Sequence, residues 1–150
     1  MFFEAYGRGM AVDEALSRGW VFVSPRSGVN AINDTLDWLR NVRRIQVDKL
    51  FLLGHSMGAS LILGSDPNLS PTAAAIFAPP GGRLNPKVPT LVAIGKQDLP
   101  MIRSAFSGMA SGDPDQDEFV FKEYDPAEHL MVVNEGLQDA FRFFDRSAKR

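Results

Sequence analysis

Ser56 stands in Gly54-His55-Ser56-Met57-Gly58, a serine flanked by glycines in a G-x-S-x-G spacing. A serine hydroxyl is a poor nucleophile near neutral pH until a base takes its proton, and histidine has the pKa for that task. The chain holds 2 histidines. His55 adjoins Ser56, so on a tight turn its side chain is expected to point elsewhere and pack beneath the turn. His129, in the polar run Asp125-Pro126-Ala127-Glu128-His129, is then the candidate base, weighed against the plainer reading of a surface loop histidine. An imidazole acting as base needs a carboxylate to fix its tautomer and to stabilise its charged form. Asp98 follows the apolar run Thr90 to Ile94 through Gly95-Lys96-Gln97. Asp125 is its rival, near His129 but also placed to start a turn before Pro126. On position, Asp98 is preferred.

The surroundings of Ser56 give the pentapeptide its meaning. Lys49 to Leu53 is an apolar run that reads as a buried strand, and Ala59 to Leu63 reads as the start of a helix. A serine on the sharp turn between them must take a strained backbone, and neighbouring side chains would collide there, so small residues at both Gly54 and Gly58 are expected. The same turn places Met57 at a helix N-terminus, where the unpaired backbone N–H can stabilise an oxyanion formed by attack on a carbonyl.

The remaining elements must bring these residues together. Phe2, Ala5, Gly9, Val12 and Leu16 fall at helical steps, closing at Arg18-Gly19, with a short strand over Phe2 to Tyr6 as the alternative reading of the first residues. Trp20 to Val23 is a compact aromatic and β-branched run, read as a buried strand before the turn residues Ser24 to Gly28. Ile32, Leu36 and Leu39 mark a helix from about Asn30 to Arg44, with acidic residues early and arginines late, as the helix dipole favours. Ala73 to Ala78 and Thr90 to Ile94 read as strands separated by the Pro79-Pro80-Gly81-Gly82 turn, with a helix from about Met101 to Met109. Phe119 to Tyr124 reads as a further strand, and Leu137, Phe141 and Phe144 as the inner stripe of a last helix from Val132. Strands and helices alternate, and the strands are continuous apolar runs, the pattern of strands buried on both faces. The expected fold is α/β, with a mainly parallel sheet and helices on both faces. In such sheets functional groups gather at the carboxyl ends of the strands, where Ser56, Asp98 and His129 all fall.

Composition narrows the classes of partner. The chain has 150 residues, about one domain, and is 45% hydrophobic with 11 Phe, enough for one core. With 16 Lys+Arg against 18 Asp+Glu, the net charge of -2 gives no bulk electrostatic case for nucleic acid or an anionic membrane surface. The absence of cysteine excludes a disulfide scaffold, a thiolate zinc site and a cysteine nucleophile. No apolar run is long enough to span a bilayer, and the first residues lack the pattern of a signal peptide, so a cytoplasmic chain is expected. No metal or organic cofactor is implied.

Taken together, the sequence resembles the α/β-hydrolase superfamily. The elbow Gly54-His55-Ser56-Met57-Gly58-Ala59 matches its G-H-S-M-G form, and Val88 to Asp98 is similar to the family strand that ends in glycine and then the acid. The order Ser, Asp, His is also the family's. The resemblance implies Ser56 as nucleophile, Asp98 as acid and His129 as general base. It covers only the latter part of the family fold, with Trp20 to Val23 corresponding to the fourth strand and strands one to three missing. The loop that gives the second oxyanion donor has no match, and Gly7-Arg8-Gly9 is a poor substitute. Losing one such donor costs on the order of 3 kcal/mol of transition-state stabilisation. Two expectations compete: an N-terminally incomplete chain, in which case a missing segment could have carried a signal, or a minimal version of the fold.

The function expected from these residues is hydrolysis of carboxylic ester-type bonds in a small-molecule substrate through an acyl-enzyme. The alternatives are the catalytic part of a prolyl-oligopeptidase-type peptidase, with a peptide substrate, and a hydrolase-fold domain without catalysis that serves as a binding or interaction module. The short connection between Ala78 and Val88 leaves no room for a large cap and implies an open site.

Overall fold

Four apolar runs form the sheet of this computed structural model, which describes residues 8–25, 31–65, 68–81 and 87–150. They are β1 (Phe51–His55), β2 (Ala73–Phe77), β3 (Thr90–Gln97) and β4 (Phe119–Glu128). All three pairings are parallel, and the strands lie side by side in chain order. Every residue of β2 and the first six of β3 are buried, as continuous apolar strands require, and β1 at one edge alternates between buried and half-buried.

Register assigns the two faces. Gly54 pairs with Ile76, and a β-carbon on Gly54 would strike Gly58 and Ile62 of α3 (Met57–Leu63), so that helix covers the Gly54 face. Phe121 pairs with Val92 on the same face and stacks on Phe106, just after α4 (Pro100–Ala105). On the opposite face Phe51 and Phe77 meet α5 (Val132–Ala148): Phe51 lies 5.0 Å from Phe144, and a β-carbon on Gly136 would touch Phe77 and Tyr124. The structure is therefore an α/β protein with a four-stranded, all-parallel sheet among the described residues and helices on both faces.

The last helix keeps the predicted stripe, with Leu137, Phe141 and Phe144 all buried. Asp139, on the same helix, ties it to β4: it accepts a 2.6 Å hydrogen bond from the Tyr124 hydroxyl and further bonds from Lys122 and Arg142. Burial pushes its carboxyl upward, but these three donors outweigh burial and hold it below the ordinary carboxylate value. The Tyr124 hydroxyl is pushed well above its ordinary value, first by burial and then by its bond to Asp139.

Several sequence expectations need correction. Trp20 to Val23 form no strand: Val21 and Val23 are exposed, while Trp20 stacks on Phe51 at 4.8 Å and on Phe141 at 6.1 Å. An aromatic and β-branched run becomes a strand only where a neighbour completes its backbone ladder, and here the Trp20 ring packs on the α5 face instead. The first helix, α1 (Arg8–Ser17), buries Ala11 and Ala15 and leaves Leu16 exposed, so its inner face is marked by alanines and not by the expected stripe through Leu16. Arg18 docks this helix on α5 through a two-bond pairing with Asp145 at 2.8 Å. The next helix, α2 (Ala31–Asn41), ends before Arg43 and Arg44, the latter at φ 57, and α4 ends at Ala105 instead of Met109. The positions Phe2, Ala5 and Gly7 and the turn residues 26–28 and 82 lie outside the described residues.

Candidate active site

Ser56 follows β1 directly and precedes the first residue of α3, with φ 53 and ψ -121. This is a left-handed φ that costs a non-glycine residue on the order of 1–3 kcal/mol and that the surroundings must enforce. Two contacts enforce it: the Ser56 N–H donates to the Phe77 carbonyl at 2.8 Å, and the Ser56 carbonyl accepts from the Ser60 N–H at 3.1 Å. Ala78, one strand over, also has a positive φ, 46, so two of the three non-glycine residues of this kind among the described residues sit side by side at the carboxyl rim of the sheet. Gly54 is required for the turn, because a β-carbon there would lie 2.7 Å from the Gly58 carbonyl oxygen. Gly58 is different. A β-carbon on it would meet nothing within 4 Å, so the expectation that both flanking positions must be small holds only for Gly54. The reason is that the Gly58 backbone, not a side chain, is what Gly54 approaches.

Asp98 lies in the turn after β3, its own N–H bonded to the Gly95 carbonyl at 3.0 Å. Its side chain is fully buried and its oxygens are occupied: Oδ1 accepts from the Leu99 N–H at 2.7 Å and from the His129 ring at 2.7 Å, and Oδ2 from the Gly95 N–H at 3.4 Å. A buried carboxylate with this many donors is compensated. Since a carboxylate accepts, His129 Nδ1 carries the proton, and Nε2 is left to accept from the Ser56 hydroxyl, 3.1 Å away. Asp125, the rival acid, is 60% exposed and pairs with Lys96 at 2.9 Å, away from this line.

The line Ser56–His129–Asp98 spans the sheet. Ser56 follows β1 and His129 follows β4, strands whose axes stand roughly 14 Å apart at three spacings of about 4.8 Å. Contact is made because β4 does not stop at Tyr124. The segment Asp125 to Glu128, expected as a polar loop, continues the strand past an irregularity between Gly95 and Gln97, with Glu128 paired to Gln97. That continuation carries His129 back toward Ser56. Gly95 allows it: a β-carbon there would sit 2.1 Å from the Ala127 carbonyl oxygen.

His55 is not simply packed beneath the turn. Its Nε2–H donates to the backbone carbonyl of His129 at 2.7 Å, and the two rings lie 4.9 Å apart, tilted by 47°. Burial holds its pKa below the ordinary histidine value, with the bond to His129 acting in the opposite direction. The sequence also held an unread signal around the rim. Each of the three aligned residues is followed by an exposed apolar side chain: Met57 after Ser56, Leu99 after Asp98, and Leu130 and Met131 after His129.

Among the described residues no group of three acidic, histidine or cysteine side chains is placed to hold a metal ion, and no helix is long and apolar enough to cross a membrane. No family model, curated protein or solved structure matches this chain. What the site can do follows from its own groups.

Proposed function

We propose that this chain is an α/β-hydrolase-type serine hydrolase that cleaves carboxylic ester bonds of small molecules through an acyl-enzyme. The observation that carries the reading is the unbroken hydrogen-bonded line from the Ser56 hydroxyl through His129 to the buried Asp98. In this reading His129 Nε2 takes the Ser56 proton as Oγ bonds to the ester carbonyl carbon, and the carbonyl oxygen becomes an oxyanion. Collapse breaks the bond to the alcohol, which leaves with the proton held by His129. Water, deprotonated by the same imidazole, then attacks the acyl-enzyme and releases the acid and Ser56.

Asp98 keeps Nδ1 protonated and stabilises the imidazolium of both steps. The Met57 N–H, at the first position of α3, is the oxyanion donor. The nucleophile, acid and base follow the first, third and fourth strands of a parallel sheet, which supports the hydrolase-type assignment of the fold. The exposed Met57, Leu99 and Met131 side chains, close in sequence to Ser56, Asp98 and His129, suit an ester with an apolar acyl group.

A fluorophosphonate probe tests the reading, since it phosphonylates a serine only when that hydroxyl is activated. Labelling of the folded protein that disappears in Ser56→Ala is the expected result. Absence of labelling in folded wild-type protein overturns the proposal and favours a binding module without catalysis.

A further inference from the structure

We propose that His55 is a positioning residue that holds the catalytic histidine in place by bonding its main chain, an inference that rests on the hydrolase reading above. His55 is the last residue of β1, and its partner Phe77 faces α5, so its ring projects to the side of the sheet where His129 arrives. The 2.7 Å bond runs from His55 Nε2–H to the His129 carbonyl. A carbonyl can only accept, so Nε2 carries the proton.

The need for such a bond follows from the reaction. The Oγ–Nε2 contact between Ser56 and His129 is consumed and remade in each half of the cycle, so it cannot hold the base still. Asp98 anchors one edge of the His129 ring through Nδ1, which fixes the tautomer but leaves the ring free to swing about that bond. The bond from His55 anchors the backbone of the same residue. Ring edge and main chain together determine where Nε2 points. His129 sits in the short connection between Glu128 and Val132, whose backbone is also tied at Met131, by the bond from its N–H to the Glu128 carbonyl at 3.1 Å and by the bond from the Glu135 N–H to its carbonyl at 3.2 Å, neither of which holds His129 itself. The anchor also comes from the residue directly before the nucleophile, so the elbow and the base move as one unit. Burial favours the neutral form of His55, which suits a ring 4.9 Å from an imidazole that becomes cationic in the reaction.

Two substitutions separate the hydrogen bond from the ring. His55→Gln places an amide N–H near the position of Nε2 and keeps the donor, whereas His55→Phe keeps ring volume and removes it. Ester turnover and fluorophosphonate labelling rates are measured on folded wild type and both variants, with proton NMR of the His129 Nδ1 hydrogen shared with Asp98. The phenylalanine variant is expected to lose about tenfold to a hundredfold in kcat with KM nearly unchanged, the cost of a small misplacement of the base. Its Nδ1 proton signal should broaden by exchange with water, and the glutamine variant should recover both properties to within a few fold. If the phenylalanine variant does not fold, His55→Asn, whose amide is too short to reach the carbonyl, replaces it. Equal rates and equal Nδ1 signals in all proteins overturn the inference, as does a glutamine variant as impaired as the donorless one. Failure of wild type to label overturns the hydrolase reading instead, and the Nδ1 signal then decides the role of His55 alone.

Discussion

Gly95 and the carbonyl of Ala127 approach so closely that a β-carbon on the glycine would lie 2.1 Å from the oxygen. Ala127 is two residues before His129, so this approach is what seats the end of β4 over β3. Gly95→Ala should displace the base and overpack the junction. Stability by urea denaturation is expected to fall by about 1–3 kcal/mol, with ester turnover falling at least tenfold. Turnover and stability both near wild type would mean that the junction can relax without moving His129.

The two elbow glycines should respond differently. Gly54→Ala drives a β-carbon into the Gly58 backbone and should lower both stability and labelling at Ser56, whereas Gly58→Ala enters open space and should leave both within about twofold of wild type. Thermal melts and labelling rates check the contrast.

The carboxylates are separable in the same way. Asp98→Asn removes the acceptor that fixes the His129 tautomer and should cut kcat by about a thousandfold or more. Asp125→Asn loses only an exposed pairing with Lys96 and should stay within a few fold. Equal losses in steady-state assays would reverse the assignment of the acid.

Stability should carry a mark of His55. Its folded-state pKa lies below the unfolded value of about 6.5, so as pH falls the unfolded chain binds the proton first. The contribution of neutral His55 is therefore fully present above about pH 6.5 and declines as pH falls toward the folded value. Urea midpoints of wild type and His55→Gln should differ in wild type's favour more at pH 7.5 than at pH 5.5. A difference independent of pH would contradict a half-buried ring held neutral.

The apolar rim predicts acyl preference. Hexanoyl esters should exceed acetyl esters in kcat/KM by about tenfold, less than complete burial of the extra methylenes would give. Met57→Ala keeps the backbone donor but removes a side chain that is 75% exposed, and should narrow that ratio. Parallel assays on p-nitrophenyl esters measure it.

What the sequence made legible was local. The stripe Leu137, Phe141 and Phe144 and the buried runs of β2 and β3 carry their burial in their own periodicity, and the three aligned residues could be placed at strand ends. Other features depend on partners distant in the chain. Trp20 to Val23 has strand composition, but only a neighbouring ladder could have made it a strand. The face of α1 is marked by Ala11 and Ala15, which are too small to dominate an apolar pattern. Asp125 and Pro126 read as a break, although the strand continues through them to Glu128. The bond from His55 to His129 joins residues 74 apart, and the spacing within the elbow holds no trace of it.

Ser56 and His129 hang from the two outermost strands of the sheet formed by the described residues, with β2 and β3 between them. The Ser56–His129 pair, and on the proposed reading the activated hydroxyl, is thus a property of the finished sheet, since an assembly lacking either flank cannot contain it. A chain emerging from synthesis or refolding from denaturant should remain chemically silent until its final layer closes. Onset of labelling at the serine would then time the completion of the native architecture.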